Sequence, residues 1–199
     1  MRLSPRPRST QRGFVLVSAI LLLVVVTILA IGMFRSFGLD EKIAGNTREK
    51  QRAFQAAVSA QQYAEQWLAT GSGGAAITCT GMVTASMTTG QICVNTLPTV
   101  VGSIANIASA LPWKNGAAAV GVTYAPTAMN IQQTNYAAGS YYKYPVFYIS
   151  FLGVGTAPTG GQGNLYQIDA VGYGGTASTA AVVESTYIVQ IVASPLDNP

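Results

Sequence analysis

Cys79 and Cys93 are the only thiols in a chain of 199 residues that contains no histidine. Two cysteines fourteen positions apart match neither a redox CxxC nor a zinc knuckle, and no third or fourth soft ligand is available to complete a metal site. Two states of the pair stand open: a disulfide, the simplest one in an exported domain, and two buried free thiols. A bridge closing a loop of this length stabilises a fold by about 3 kcal/mol on the chain-entropy account. The lack of histidine also removes the commonest general base. Asp169 and Glu184 are carboxylates that a hairpin could set side by side. A lone pair of this kind is a poor acid–base site, and opposed charge partners, metal contact or solvent exposure account for it better. No catalytic residue, cofactor or metal is expected, and no enzymatic activity.

The charge distribution narrows the class further. Charged residues make up 9% of the chain and the formal net charge is +4. Arg2, Arg6, Arg8 and Arg12 all precede Gly13, and the seven basic residues from Phe14 onward meet seven acidic ones. The remainder is therefore neutral, whereas a nucleic-acid binder keeps a basic stripe on its folded domain. No nucleic-acid partner is expected.

Immediately after the basic leader, Phe14 to Phe34 (FVLVSAILLLVVVTILAIGMF) runs without a charge, and fifteen of its residues are Leu, Ile, Val or Phe. About 20 apolar residues in a helix cross a bilayer core, and Ser18 and Thr27 do not offset several kcal/mol of favourable insertion. The arginines on its N-terminal side keep residues 1–13 cytoplasmic and send the rest outward, a single-pass arrangement in the inner membrane. A secretory signal peptide has a shorter apolar core and a small-x-small cleavage site, of which Ala30-Ile31-Gly32 is a poor version. A plain signal anchor shares the same hydropathy.

The elements that must carry this span come next. Residues 35–70 lack proline and are rich in helix formers. Phe54, Ala57, Val58, Ala64, Trp67 and Leu68 recur at helical steps, which predicts an amphipathic half that packs on the protein's own sheet. Glu49 and Arg52 are spaced to pair on the wet side, and Gly71 followed by Ser72-Gly73-Gly74 stops the helix. Phe14 to Thr70 thus reads as nearly one helix, roughly 85 Å long at about 1.5 Å per residue, with Gly32, Gly38 and Gly45 as weak points. Residues 71–140 are rich in Gly, Ala, Ser and Thr and suit short strands and loops, with the cysteine pair inside a hairpin-like loop. Strand patterns follow at 145–152, 164–173 and 181–192, where Ala181, Val183, Tyr187, Val189 and Ile191 alternate onto one side. Gly172, Gly174 and Gly175 mark the last turn. Tyr141, Tyr142, Lys143 and Tyr144 are either the start of a strand or a partner contact. The fold expected is α+β: a long N-terminal helix, membrane half 14–34 and periplasmic half 35–70, packed on a small antiparallel sheet in residues 141–199.

The junction Gln11-Arg12-Gly13-Phe14 resembles the class III leader of type IV prepilins. Residues 40–65 resemble the N-terminal signature of PilX-type minor pilins, carried by Ile43-Ala44-Gly45-Asn46 and by Ala53-Phe54-Gln55-Ala56-Ala57. Val58 departs from it, because an acidic residue commonly follows there. Residues 172–187 are more loosely similar to the family's closing hairpin. The resemblance implies cleavage between Gly13 and Phe14 by prepilin peptidase, N-methylation of Phe14, and incorporation into a type IV pilus. It implies as partners the major pilin, other minor pilins and a tip adhesin, with lateral helix packing and strand-to-strand docking as the mode of assembly. Major pilins usually carry Glu at the fifth residue after cleavage, where this chain has Ser18. In the family picture that Glu pairs with the terminal amine of the preceding subunit, so a Ser suits a subunit that starts assembly or sits at the tip. A tolerated small residue facing lipid is the plainer alternative. A type II secretion pseudopilin and a membrane-anchored periplasmic binding module remain as rival readings of the whole chain.

Overall fold

A computed structural model of the chain describes residues 12–71, 76–79, 90–98, 111, 113–115, 118–134, 139–158 and 160–190. It divides into two units, Met1–Asn46 and Thr47–Pro199. Helix α1, Arg12–Ala69, contributes to both. The expected leader lies outside the described residues except for its last two positions, which are helical. Gly32, Gly38 and Gly45 do not interrupt the helix. It closes where the glycine signal placed its end, with Gly71 in the left-handed region at φ 68° and its N–H donating to Leu68 O.

In the second unit, Thr47–Ala69 packs on a sheet that has five strands among the described residues. Its strands are β1 (Ile92–Cys93), β4 (Val122–Thr123), β5 (Val146–Thr156), β6 (Gln162–Tyr173) and β7 (Ala180–Gln190). The order is β1-β5-β6-β7, with β4 also on β5. Two further short strands, β2 (Lys114–Asn115) and β3 (Ala118–Ala119), pair separately. The three long strands are those expected, each shifted by a few residues; Ile191 and Val192 lie outside the described residues. The sheet is mixed rather than purely antiparallel, because β1 runs parallel to β5. Two short strands of the middle region thus join it, so the sheet is not confined to residues 141–199.

Both faces of the sheet are covered. On one, Ala60, Ala64, Trp67 and Leu68 of the helix meet Phe147, Ile149, Tyr166, Ile168 and Ala170. On the other, Tyr148, Val171 and Tyr173 lie under Cys79, Cys93, Leu97, Trp113 and Val120. Strand β5 is therefore buried on both faces over Phe147–Ser150, which a simple alternation of in and out did not suggest. Strand β7 keeps the alternation: Ala181, Val183, Tyr187 and Val189 are half-buried and Val182, Glu184 and Thr186 are exposed.

Candidate functional site

From Gly13 to Met33 every side chain except Ala30 is exposed, and Phe14 shows 80% of its surface. The most apolar window of this helix has a mean hydropathy of 3.2 and none of it is buried within the protein. Covering one Leu, Val, Ile or Phe side chain is favourable by about 1.5–3 kcal/mol, so a run of this length must be covered by lipid or by other helices. It is a candidate membrane anchor by length and composition. Its two hydroxyls are satisfied locally: Ser18 Oγ donates to Val15 O at 3.0 Å and Thr27 Oγ1 to Leu23 O at 2.6 Å. Neither demands a polar partner in the bilayer. Val15, Ser18, Ala19, Leu22 and Val26 form a shallow strip along the helix. Farther on, Ala44, Gly45 and Asn46 are exposed, and a methyl group placed on Gly45 would meet nothing.

The second signature cluster is divided. Ala53, Ala56 and Ala57 are buried together with Ala60, Ala64, Trp67 and Leu68, at steps of three and four residues. Phe54 and Gln55 face outward, and Phe54 is 54% exposed. The expected apolar stripe is thus shifted round the helix: Phe54 is off the packed face and an alanine row forms it. The reason lies in β6, where a Cβ on Gly172 would stand 2.3 Å from both Ala53 O and Ala57 N. Helix backbone rests on strand backbone there, and only small residues allow so close an approach. Gly172 is accordingly part of the strand, and only Gly174 and Gly175 belong to the turn.

Charges latch the same helix to that turn. Glu49 accepts from Arg52 Nη1 at 2.8 Å and from the Gly175 N–H at 2.6 Å. Arg52 also donates to Ser140 O at 2.6 Å and lies 4.6 Å from the centre of the Tyr141 ring. Lys50 Nζ donates to Ala180 O. The Glu49–Arg52 pair is therefore not the solvated pair expected but a tertiary clamp. Burial would raise the Glu49 carboxyl, yet the Gly175 N–H and the Arg52 guanidinium outweigh it and hold it below the usual carboxylate range. In the half-buried tyrosine cluster Tyr141 lies under Arg52, and Tyr142 sits edge-on to Tyr173 at 6.2 Å.

Cys79 and Cys93 are joined in a disulfide with their Cα atoms 5.4 Å apart. The segments beside it do not form the expected hairpin. Ile77 bridges Cys93 in the parallel sense, with Ile77 N–H donating to Ile92 O and Val94 N–H to Ile77 O. Asn95 ties the loop further, its side chain donating to Cys79 O and accepting from the Cys79 N–H.

Asp169 and Glu184 are direct partners across β6 and β7. Asp169 is 1% exposed and lies opposite Tyr148 on its other side. Burial, opposed by hydrogen bonds from Gln167 but helped by the neighbouring Glu184 carboxylate, raises Asp169 to about 6. Tyr148 is pushed up mainly by burial and donates to Asn95 O at 2.8 Å. Among the described residues no group of three or more His, Cys, Asp or Glu side chains gathers as a metal site would require.

Residues 12–60 match the family model described as PilX N-terminal. This N-terminal segment is similar to that of PilX-type pilins. The match covers the apolar run, both signature clusters and the start of the alanine row, and it ends before the sheet. A domain of this kind supports a type IV pilus-related pilin and suggests other pilus components as partners. No curated protein and no solved structure matches the chain. The Gly172 contact and the Arg52 clamp were not foreseen, although the glycine-rich GYGG run opposite an alanine-rich helix is the signal that could have pointed to them.

Proposed function

We propose that this pilin is a minor subunit that takes part in type IV pilus assembly, priming it or occupying the tip. The observation that carries the reading is an uncharged helix half, exposed from Gly13 to Met33 at every position but Ala30, with Ser18 at the fifth position after Gly13. A carboxylate in the hydrocarbon needs a partner. A subunit with none above it does without the carboxylate while still offering its Phe14 amine to the next one. Residues 1–13 act as a cytoplasmic leader that prepilin peptidase removes before Phe14 is methylated. The helix then spans the inner membrane over residues 14–34, and the exported domain follows. Function resides in packing against the major pilin, other minor pilins and a tip adhesin, with no chemistry of the chain's own.

Mass spectrometry of the N-terminus from membranes tests the class: methylated Phe14 is expected, and an intact Met1 would turn the reading into a plain membrane-anchored binding module. Ser18→Glu tests the place in the fibre. The substitution should fold normally and move the subunit away from the tip or lower the number of fibres. Unchanged fibres with unchanged placement would refute the tip assignment, and loss of a secreted substrate instead of fibres would favour a type II secretion pseudopilin.

A further inference from the structure

Among the described residues strand β7 ends the sheet, and its eleven residues carry a single charge, Glu184, with no lysine, proline or bulge to blunt the edge. Pairing with β6 is regular from Gly163↔Gln190 to Tyr173↔Ala180. The Gly174 N–H donates to Thr179 O, closing the turn, and Lys50 takes the next carbonyl, that of Ala180, from outside the ladder. Alternation along an antiparallel strand then turns the N–H and C=O groups of Val182, Glu184, Thr186 and Ile188 outward. Val189 O is close to Gly163 on the inner side, as the same alternation requires. A long edge of this kind is a template for another strand.

Each end of β7 also has an apolar groove. One, of about 600 Å³, is lined by Phe54, Leu111, Ala181 and Val182. The other, of about 370 Å³, is lined by Ala157, Pro158, Tyr187 and Ile188. The face between them presents Val182, Glu184 and Thr186, all exposed, followed by the half-buried Ile188. The direct neighbours these favour across a strand pair are an apolar residue, a basic residue, a hydroxyl or β-branched residue, and an apolar residue.

We infer that the β7 edge receives an extended strand from a different polypeptide, with apolar residues opposite Val182 and Ile188 and a lysine or arginine opposite Glu184. The inference rests on the assembly reading for the source of that strand and gives strand docking a defined place. A second copy of this chain fits less well. Pairing Val182 with Ile188 of a second copy sets the two Glu184 carboxylates diagonal to each other, a like-charge contact. The main-chain bonds supply affinity and the side-chain pattern supplies selection, as in other strand-addition complexes.

The test uses the full-length chain, isotopically labelled in detergent micelles, and the acetylated peptide Thr-Ile-Thr-Thr-Thr-Lys-Thr-Val-Thr, which places its lysine opposite Glu184 when antiparallel. At a peptide concentration about ten times its Kd, the amides of Val182, Glu184, Thr186 and Ile188 should exchange about tenfold more slowly. Those of Val183, Ser185 and Tyr187, already bonded to β6, should not change. Thr186→Pro removes an outward N–H without taking a bond from β6 and should weaken binding about tenfold or more. Glu184→Lys should do the same, and a peptide with glutamate in place of lysine should restore it. Unprotected even-numbered amides, protection indifferent to both substitutions, or pairing with a second copy instead of the peptide would each overturn the proposal. Processing at Phe14 is unaffected by Thr186→Pro, so an intact Met1 marks failure of the pilin reading and not of this one.

Discussion

The two halves of α1 have the same backbone and opposite fates. Between Gly13 and Met33 bulky Leu, Val and Ile side chains stand exposed on all sides. Between Ala53 and Leu68 the buried row is mostly alanine. Hydrophobicity alone would place the core along the first half. Packing places it along the second, because a row of methyl groups lets strand β6 come within backbone contact whereas large branched side chains would hold it off. An all-round apolar helix is built for a lipid or multi-helix environment, and a one-sided small-residue helix for a single close neighbour. The glycines divide the same way: Gly172 sits where a methyl group has no room, Gly45 where it would touch nothing.

The sharpest way to break the comparison is to fill the close contact. Gly172→Ala drives a methyl group into Ala53 O and Ala57 N, both main-chain atoms that no rotamer change can move aside. The exported domain should lose about 3 kcal/mol or more, read as a large drop in the thermal midpoint of near-ultraviolet dichroism. An unchanged midpoint would mean that the helix does not rest on β6 as described. Reduction of Cys79–Cys93 should cost about 3 kcal/mol by freeing the unfolded chain. The effect should appear as a lower denaturant midpoint after thiol treatment, while the alanine row, which the bridge does not touch, stays protected from exchange.

Asp169 gives a prediction of moderate size whose sign is fixed by its environment. Its carboxyl titrates at about 6 in the folded chain, above its ordinary 3.8. The folded state therefore binds the proton more tightly than the unfolded one. The stability this contributes is complete below the unfolded value and is lost as pH rises through about 6. Asp169→Asn, which keeps the shape and never ionises, should match the parent near pH 4 and exceed it by about 2 kcal/mol at pH 7.5. Equal stability at both pH values would show that the carboxyl is not held neutral. Glu49 runs the other way, since its clamp strengthens the fold above the ordinary carboxylate range and fades only as pH falls through its lowered value.

The sequence makes legible what periodicity and length control. The long apolar helix, its stop at Gly71 and the three long strands follow from local pattern, and the register partnership of Asp169 with Glu184 follows from hairpin geometry. What it hides is depth. Phe54 looks like a core residue because it is large and lies at the right spacing, but the core face was chosen by what β6 could approach, and that depended on Gly172, more than a hundred residues away. The parallel pairing of β1 with β5 was equally hidden, because two residues, Ile92 and Cys93, carry no period. Glu49 and Arg52 were correctly paired, yet their attachment to Gly175 and Ser140 needed the tertiary structure. In the candidate assembly region the residue identities were readable throughout, since an exposed surface owes its character to its own side chains.

Gly45 is the smallest and most discriminating test of the contrast. In the single chain a methyl group there meets nothing, and glycine costs a helix interior about 0.8–1 kcal/mol relative to alanine. Gly45→Ala should therefore strengthen the helix locally and slow amide exchange over residues 41–46 roughly fivefold, with no change in the exported domain's midpoint. If Gly45 serves only the isolated subunit, fibre assembly will be unaltered as well. If the helix must loosen or admit a neighbour there on entering the fibre, the more stable subunit will assemble less well, so that stability and function separate at one residue. A gain in local protection together with fewer fibres is the outcome expected, because nothing among the described residues accounts for a glycine at a position where alanine fits and the helix favours it.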